Sequence, residues 1–125
     1  GTGTILIIDD EEMVAGMAAD VLHTLGYNTR VALSAEEAIE YFRENHNEVD
    51  LVLTDMVMPH MDGAECFRRL QDIDGNVKAI LTSGYGEQGR AEASLEQGMC
   101  GFLRKPFSVT GLSNAVNDAL GCRRR

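Results

Sequence analysis

Six polar residues of this 125-residue chain follow directly on apolar, strand-like segments or end them. They are Asp9, Asp10, Asp55, Thr82, Ser83 and Lys105. The carboxyl ends of parallel strands meet at one edge of an open α/β sheet, and ligands bind at that edge. If the apolar segments are parallel strands, these six residues lie close together.

The chemistry of this set indicates phosphoryl transfer. Three neighbouring carboxylates repel one another unless a cation lies among them. Carboxylate oxygens are the ligands that Mg²⁺ prefers, and Mg²⁺ usually keeps an open side for phosphate oxygens. Lys105 can act as a point charge on a phosphate, and Ser83 offers a hydroxyl donor. Because an aspartate can itself form an aspartyl phosphate, an Asp nucleophile assisted by Mg²⁺ is a candidate mechanism.

The apolar pattern supplies the sheet that these residues need. The apolar runs 5–8 and 51–55 indicate strands buried on both faces, whereas the more polar run 29–33 suits a sheet edge. Further strands are predicted at 77–81, with Thr82 and Ser83 in its exit loop, and at 100–104. Five strands in alternation with five helices predict an α/β fold with a single doubly wound parallel sheet.

Five helices are predicted between and after the strands. The first runs from about Glu12 to Leu25, with Gly26 as its C-terminal cap. The fourth, 87–97, has few apolar residues to bury and should be the least firmly anchored. The predicted N-caps of the second, third and last helices are Ser34, Asp62 and Ser108.

Composition limits the function classes. A formal net charge of −9 argues against nucleic-acid binding, and the basic run 123–125 is expected to be a solvated tail. No apolar stretch approaches a membrane span and no signal peptide is visible, so a cytoplasmic location is expected. The histidines lack metal-ligand spacing. Three cysteines without CxxC spacing predict reduced thiols, neither a zinc site nor a disulfide framework; they are Cys66, Cys100 and Cys122.

These motifs together resemble the receiver domain of two-component response regulators. The resemblance runs from Ile5 to Leu120 and implies one domain over residues 1–125 with its core at 5–120. It implies a flavodoxin-like (βα)5 fold with strand order 2-1-3-4-5. The motifs that carry it are Asp9-Asp10, the Asp55 loop with Pro59 and Asp62-Gly63, Ser83-Gly84, and Lys105-Pro106-Phe107.

The resemblance also implies roles at the predicted site. Asp55 becomes the phosphoacceptor. Asp9, Asp10 and Asp55 become Mg²⁺ ligands, together with the backbone carbonyl of Val57. Lys105 becomes the counter-charge of the phosphoryl group.

Two residues are implied in the switch that follows phosphorylation. Ser83, rather than the neighbouring Thr82, becomes the hydroxyl that senses the phosphoryl group. Phe102 stands where many members have Tyr, so its ring can rotate but cannot make a phenolic hydrogen bond. The Lys105-Pro106 bond is expected to be cis, as is common in this family.

The implied function is that of a phosphoacceptor signalling domain, and the resemblance extends to the receivers of hybrid sensor histidine kinases. Its partners would be a histidine kinase or histidine phosphotransfer protein, and an output domain or downstream protein at the face of the fourth helix, fifth strand and fifth helix. Neither nucleic acid nor membrane is expected to bind this domain. Self-phosphorylation from phosphodonors and self-dephosphorylation would be its only reactions, so it would not be an enzyme in the ordinary sense.

Two alternatives remain open from the sequence. A free-standing Mg²⁺-dependent phosphohydrolase would need a general acid near Asp55, and no residue clearly supplies one. A degenerate receiver could serve as a plain docking module, but the intact set of acidic, hydroxyl and lysine residues argues against it.

Overall fold

A computed structural model describes residues 2–84 and 98–122 of the chain. Its five strands form one parallel sheet in the order β2-β1-β3-β4-β5, as predicted. The strands are β1 (Thr4–Ile8), β2 (Asn28–Ala32), β3 (Leu51–Asp55), β4 (Ala79–Ser83) and β5 (Gly101–Arg104). The predicted fold class is therefore confirmed.

Four α-helices are present in the described ranges, together with a short 3-10 turn at His46–Glu48. The predicted fourth helix, 87–97, lies outside the described residues. Within those residues, the helices are too short or too polar to cross a bilayer. The helices are α1 (Glu12–Thr24), α2 (Ala35–Asn45), α3 (Gly63–Ile73) and α4 (Val109–Leu120).

The helix starts follow the predicted capping chemistry. The Ser34 hydroxyl accepts a hydrogen bond from the Glu37 backbone N–H at 3.0 Å, and an Asp62 carboxylate oxygen accepts one from the Glu65 N–H at 2.9 Å. The Ser108 hydroxyl accepts likewise from the Gly111 N–H at 2.9 Å. These bonds satisfy backbone donors that the first turn of a helix leaves without partners. The three predicted N-caps are thus confirmed.

Hydrophobic side chains cover both faces of the sheet, as expected for a doubly wound fold. Alternate residues of each strand point to opposite faces, so β1 gives Leu6 and Ile8 to one core and Ile5 and Ile7 to the other. The first core packs under α2 and α3, and the second packs under α1 and α4. Every residue of β3 is buried. This burial fixes the position of the strand that carries Asp55.

The predicted boundaries of the fourth strand were wrong by two residues. β4 starts at Ala79 and continues through Ser83, so Thr82 and Ser83 belong to the strand and not to its exit loop. Thr82 pairs with Asp55, and Ser83 pairs with Arg104. Strands β3 and β5, on either side of β4, therefore hold the two hydroxyl residues at the carboxyl edge of the sheet. The sequence signal failed because polar residues at a strand end resemble the start of a loop.

The expectation of three reduced thiols is also wrong. Cys100 and Cys122 form a disulfide, and their Cα atoms are 5.9 Å apart. Cys66 is buried and is not disulfide-bonded. The spacing of the cysteines in the sequence gave no sign of this pair. Because α4 runs back alongside β5, the residue before the strand meets the second residue after the helix.

Gly63, at the start of α3, allows this helix to approach the end of β3 closely. Its N–H donates to the Met56 carbonyl at 2.7 Å. A Cβ atom at this position would overlap the backbone carbonyl oxygen of Asp55 and lie 2.8 Å from the Leu81 Cδ1 atom. The approach therefore requires a residue without a side chain.

We expect Gly63→Ala to lower the free energy of unfolding by about 1–3 kcal/mol, because α3 must move away from Asp55. Gly16→Ala is the matched control, since nothing lies within 4 Å of a Cβ atom there. That change lies inside α1 and should stabilise the domain by about 0.5–1 kcal/mol. Urea denaturation of both variants measures the two effects. If both variants changed the free energy of unfolding by the same amount, the close approach of α3 to β3 would not require glycine at position 63.

Candidate functional site

Lys105 joins the acidic residues of two chain segments at the carboxyl edge of the sheet. Its Nζ atom lies 2.9 Å from Asp9 Oδ2 and 3.2 Å from Asp55 Oδ1. Glu11 Oε1 lies 3.9 Å from the same nitrogen. The Lys105 side chain is 17% exposed. The acidic residues predicted at the ends of β1 and β3 thus meet around the ammonium group that follows β5.

Backbone interactions hold the two buried carboxylates in place. Asp55 is the last residue of β3 and is 6% exposed. Asp9 directly follows β1 and is 4% exposed; its N–H donates to the Ala32 carbonyl at 3.1 Å. One Asp9 carboxylate oxygen accepts from the Glu11 N–H at 2.9 Å, which leaves the other for Lys105. The chain turn after β1 therefore sets the direction of the Asp9 side chain.

The electrostatic environment favours protonation of Asp55. Burial raises the pKa of Asp55 from its ordinary 3.8 to about 6, and the negative charges of Asp9 and Asp10 act in the same direction. The charge and hydrogen bond of Lys105 oppose this rise. A group that lowers this pKa stabilises the ionised, nucleophilic form of Asp55.

The same environment also favours the protonated form of Lys105. Burial alone lowers the pKa of Lys105, but the hydrogen bond to Asp9 and the negative charges of Asp55 and Asp9 outweigh burial and raise it. The ammonium group therefore keeps its positive charge at neutral pH. One cation faces two buried carboxylates, so the cluster retains an excess of negative charge.

Among the described residues, one group of three carboxylates could hold a metal ion. Oxygen atoms of Asp9, Glu11 and Asp55 all lie within 4.8 Å of one another. An oxygen-only set with excess negative charge fits a hard divalent cation such as Mg²⁺ better than a soft transition metal. The cluster therefore has the chemistry of a cation site.

An open cleft of about 430 Å³ lies beside this group and gives a ligand access to Asp55. The predicted residues Asp10 and Val57 both line this cleft. Asp10 is exposed and does not belong to the group of three, so its ligand role stays a prediction. Glu11 was not among the predicted ligands, although it follows Asp10 in the acidic run after β1. The lining residues are Asp10, Glu11, Asp55, Val57, Gly84 and Lys105.

Thr82 and Ser83 lie next to the cluster but differ in their contacts. The Thr82 hydroxyl donates to the Thr54 carbonyl at 3.5 Å, so it is engaged within the sheet. The Ser83 side chain is buried, and its backbone carbonyl accepts from the Lys105 N–H at 2.8 Å. Ser83 is therefore tied directly to the residue that carries the ammonium group. Its role as the sensing hydroxyl stays a prediction.

Phe102 lies on the same face of the sheet as Ser83. It pairs with Leu81 in the neighbouring strand, and side chains of one face recur at every second residue. Phe102 is 36% exposed. The Lys105-Pro106 peptide bond, which follows β5, is cis as expected.

The raised pKa of Asp55 makes stability depend on pH in a testable way. Because the folded pKa lies above the ordinary value, ionisation of Asp55 costs stability as pH rises from 3.8 to about 6, and the full cost persists above that window. Solvent in the open cleft screens part of this cost. Asp55→Asn should therefore raise the free energy of unfolding by about 2 kcal/mol at neutral pH without divalent cations.

The gain should vanish below the ordinary pKa of 3.8, where Asp55 is protonated in both states. Asp72→Asn is the control, because it removes a carboxylate from an exposed position. It should change stability by less than about 0.5 kcal/mol. Urea denaturation at several pH values measures both variants, and a gain that is independent of pH would contradict the electrostatic explanation.

Relatives of this chain include a kinase and a phosphotransferase. The chain is 38% identical over 120 residues to the sensor kinase CckA of Brucella abortus. The aligned region covers 96% of this chain and 13% of the kinase. It is 34% identical over 116 residues to the sporulation initiation phosphotransferase F of Bacillus subtilis. That alignment covers 93% of this chain and 92% of the phosphotransferase. The chain thus spans about an eighth of the kinase and nearly all of the phosphotransferase.

Solved structures with similar folds point to the same class of protein as the relatives found by sequence. A response regulator receiver domain protein from Clostridium thermocellum superposes with a TM-score of 0.91 at 33% identity, which covers 95% of this chain and 94% of that one. CheY in a CheX-CheY-BeF3-Mg complex from Borrelia burgdorferi gives a TM-score of 0.86 at 26% identity, with coverage of 91% and 86%. The family model of the response regulator receiver domain matches residues 5–117. This chain belongs to the response regulator receiver domain family.

Proposed function

We propose that Asp55 is the residue on which this receiver domain accepts a phosphoryl group. The observation that carries the proposal is the position of Asp55: buried at the end of β3, open to a cleft, and with Lys105 Nζ 3.2 Å from its Oδ1. Asp55 therefore combines burial at a strand end with access through the cleft and a neighbouring positive charge. The exposed carboxylates of the helices lack that combination in the described part of the chain.

The donor in this proposal is a phosphohistidine of a histidine kinase or histidine phosphotransfer protein. An Asp55 carboxylate oxygen attacks phosphorus, the P–N bond to the histidine breaks, and the histidine nitrogen takes up a proton. Names of relatives support this donor class, since they include a sensor kinase and a phosphotransferase. The chain spans 13% of the kinase, so activities of a whole protein lie beyond this proposal.

Lys105 supplies charge and position in this step. Its ammonium group, kept protonated by Asp9 and Asp55, lies where it can contact an oxygen of a phosphoryl group on Asp55. Phosphoryl transfer is promoted mainly by positioning and by neutralisation of charge on the transferred oxygens. Before transfer, the same ammonium group favours the ionised carboxylate that must attack.

The acidic cluster is proposed to hold Mg²⁺. Asp9, Asp10 and Asp55 would be ligands with the backbone carbonyl of Val57, and Glu11 lies close enough to take part. A bound Mg²⁺ would neutralise the carboxylates and the phosphoryl oxygens. The similar structure from Borrelia burgdorferi is a complex of CheY with CheX, BeF3 and Mg, which supports a site of this type.

Phosphorylation is proposed to change the surface through Ser83 and Phe102. The Ser83 backbone accepts a hydrogen bond from the Lys105 N–H, so a movement at Lys105 reaches Ser83 directly. Phe102 lies on the same face, with its ring partly open to solvent. A downstream protein or output domain would then distinguish the two surfaces by its affinity. The face predicted from the sequence also includes residues 87–97, which lie outside the described residues.

Self-dephosphorylation belongs to the proposal, whereas turnover of many phosphate esters does not. Hydrolysis requires only that water reach the aspartyl phosphate through the cleft beside Asp55. A general phosphohydrolase also needs an acid that protonates the leaving group. The described residues that line the cleft include the carboxylates Asp10 and Glu11, and both are exposed to solvent. Enzymes usually prepare a catalytic carboxylic acid by burial, and these two exposed side chains lack that environment.

Labelling with a small phosphodonor tests the phosphoacceptor assignment. With Mg²⁺ and acetyl phosphate, the chain should gain one phosphoryl group, and Asp55→Asn should gain none, because its amide cannot form an acyl phosphate. Asp72→Asn, altered at an exposed site on α3, should be labelled like the unchanged chain. Intact mass spectrometry followed by peptide mapping gives the stoichiometry and the position. Undiminished labelling of Asp55→Asn would overturn the proposal.

Mg²⁺ titrations of single variants test the ligand set. Asp9→Asn should weaken Mg²⁺ binding at least about tenfold, because this change removes a buried carboxylate from the cluster. If the predicted set is right, Asp10→Asn should weaken binding more than Glu11→Gln does. Chemical shifts of backbone amides, followed during titration, measure the affinities. A larger effect of Glu11→Gln would assign the third carboxylate to Glu11.

A further inference from the structure

A pair of cysteines lies at the amino-terminal end of β5, away from the cleft beside Asp55 at the carboxyl ends of the strands. Cys100 directly precedes β5, whose other end leads to Lys105, and Cys122 is the second residue after α4. Their Cα atoms are 5.9 Å apart, within the range that a disulfide spans without backbone movement. The fold thus brings together two thiols that are 22 positions apart in the chain.

Bonds other than the disulfide already hold both cysteines in place. The Cys100 N–H donates to the Ala79 carbonyl at 2.8 Å, and the Cys122 N–H donates to the Ala119 carbonyl at 3.0 Å. Lys78 Nζ donates to the Leu120 carbonyl at 2.7 Å and so anchors the end of α4 beside the start of β4. Together with the two buried cores, these bonds keep the thiols adjacent when the bridge is open.

The pair is accessible, in contrast to the third cysteine. Cys100 and Cys122 are both partly exposed, so a small thiol or disulfide can reach them. Cys66 lies on the buried side of α3, and burial, together with the charges of Glu36 and Asp62, raises its pKa to about 12. Cys66 is therefore inert under conditions in which the pair reacts.

We propose that Cys100 and Cys122 form a reversible dithiol–disulfide site whose state follows the thiol redox poise around the protein. Reversible disulfides on an accessible surface commonly have regulatory roles, whereas permanent ones secure folds that have small cores. Here the two cores and the five-stranded sheet make the fold independent of the bridge. This inference does not rest on the proposed phosphoacceptor function.

The reaction balances with a low-molecular-weight disulfide such as glutathione disulfide as the oxidant. The thiolate of one cysteine attacks the glutathione disulfide, which gives a mixed disulfide and releases one glutathione thiol. The second cysteine then displaces the other glutathione and closes the bridge. In total, the protein loses two electrons and two protons, and two glutathione thiols are formed. Excess glutathione reverses both steps.

The bridge also has a mechanical consequence. It closes a loop that contains β5 and α4, and therefore Phe102 and Lys105. Cross-linking a loop of this length restricts the unfolded chain, so the oxidised form should be the more heat-stable one. We expect reduction to lower the Tm by about 10 °C.

Equilibration of the whole chain in a series of glutathione redox buffers tests the proposal. After acid quenching, denaturation and alkylation, mass spectrometry counts the free thiols. The count should move from three in reducing buffers to one in oxidising buffers, and the alkylated peptide in the oxidised form should contain Cys66. Cys66→Ser should lose both of its remaining thiols over the same range of buffers, whereas Cys100→Ser and Cys122→Ser should not form the bridge.

Thermal unfolding gives an independent measurement on the unchanged chain. Dithiothreitol should lower the Tm of the unchanged chain and of Cys66→Ser by the same amount, and should leave the variant with both Cys100→Ser and Cys122→Ser unaffected. A bridge that never forms in the most oxidising buffer would overturn the proposal, as would a bridge that persists in the most reducing one. A protein that unfolds on reduction at room temperature would also contradict it.

Discussion

The ion pair network of Lys105 is the interaction on which the functional edge of this domain depends. Two buried carboxylates, Asp9 and Asp55, would repel each other without a cation between them. Removal of the Lys105 charge would leave both buried carboxylates without compensation, and loss of such a partner typically costs about 3–5 kcal/mol. The sheet, the caps and the close approach of α3 serve to hold this network in one geometry.

The network also carries more negative than positive charge, and this imbalance determines which ligands the site favours. One ammonium group does not neutralise Asp9, Asp55 and the nearby Asp10 and Glu11. The excess negative charge favours binding of a divalent cation. In the proposed function, that cation would offset the charge of a phosphoryl group on Asp55. A doubly wound sheet suits this arrangement, because every strand ends at the same edge. The site is thus a consequence of topology as much as of residue type.

Much of this arrangement could be predicted from the sequence, because apolar runs mark buried strands and parallel strands share a carboxyl edge. These two signals were enough to place Asp9, Asp55 and Lys105 together. They did not indicate Glu11, since the direction of a side chain in the turn after β1 depends on backbone angles. They ended β4 too early, because Thr82 and Ser83 look like loop residues until their pairing partners Asp55 and Arg104 are known.

Contacts between distant segments were the least predictable feature. The Cys100–Cys122 pair depends on the return of α4 along β5, which no spacing between the cysteines reveals. The need for glycine at position 63 arises from a contact with Asp55 that exists only after α3 packs. Local patterns therefore predicted the order of the described strands and the edge at which Asp9, Asp55 and Lys105 meet, whereas packing determines the contacts between distant side chains.

Backbone amide chemical shifts of the Mg²⁺-loaded domain, recorded with and without beryllofluoride, test the central role of the Lys105 network most directly. We expect large changes at Asp9, Asp55 and Lys105, with smaller changes that continue through Ser83 to Phe102. Changes confined to the opposite edge of the sheet, or an unchanged spectrum at saturating beryllofluoride, would contradict that role.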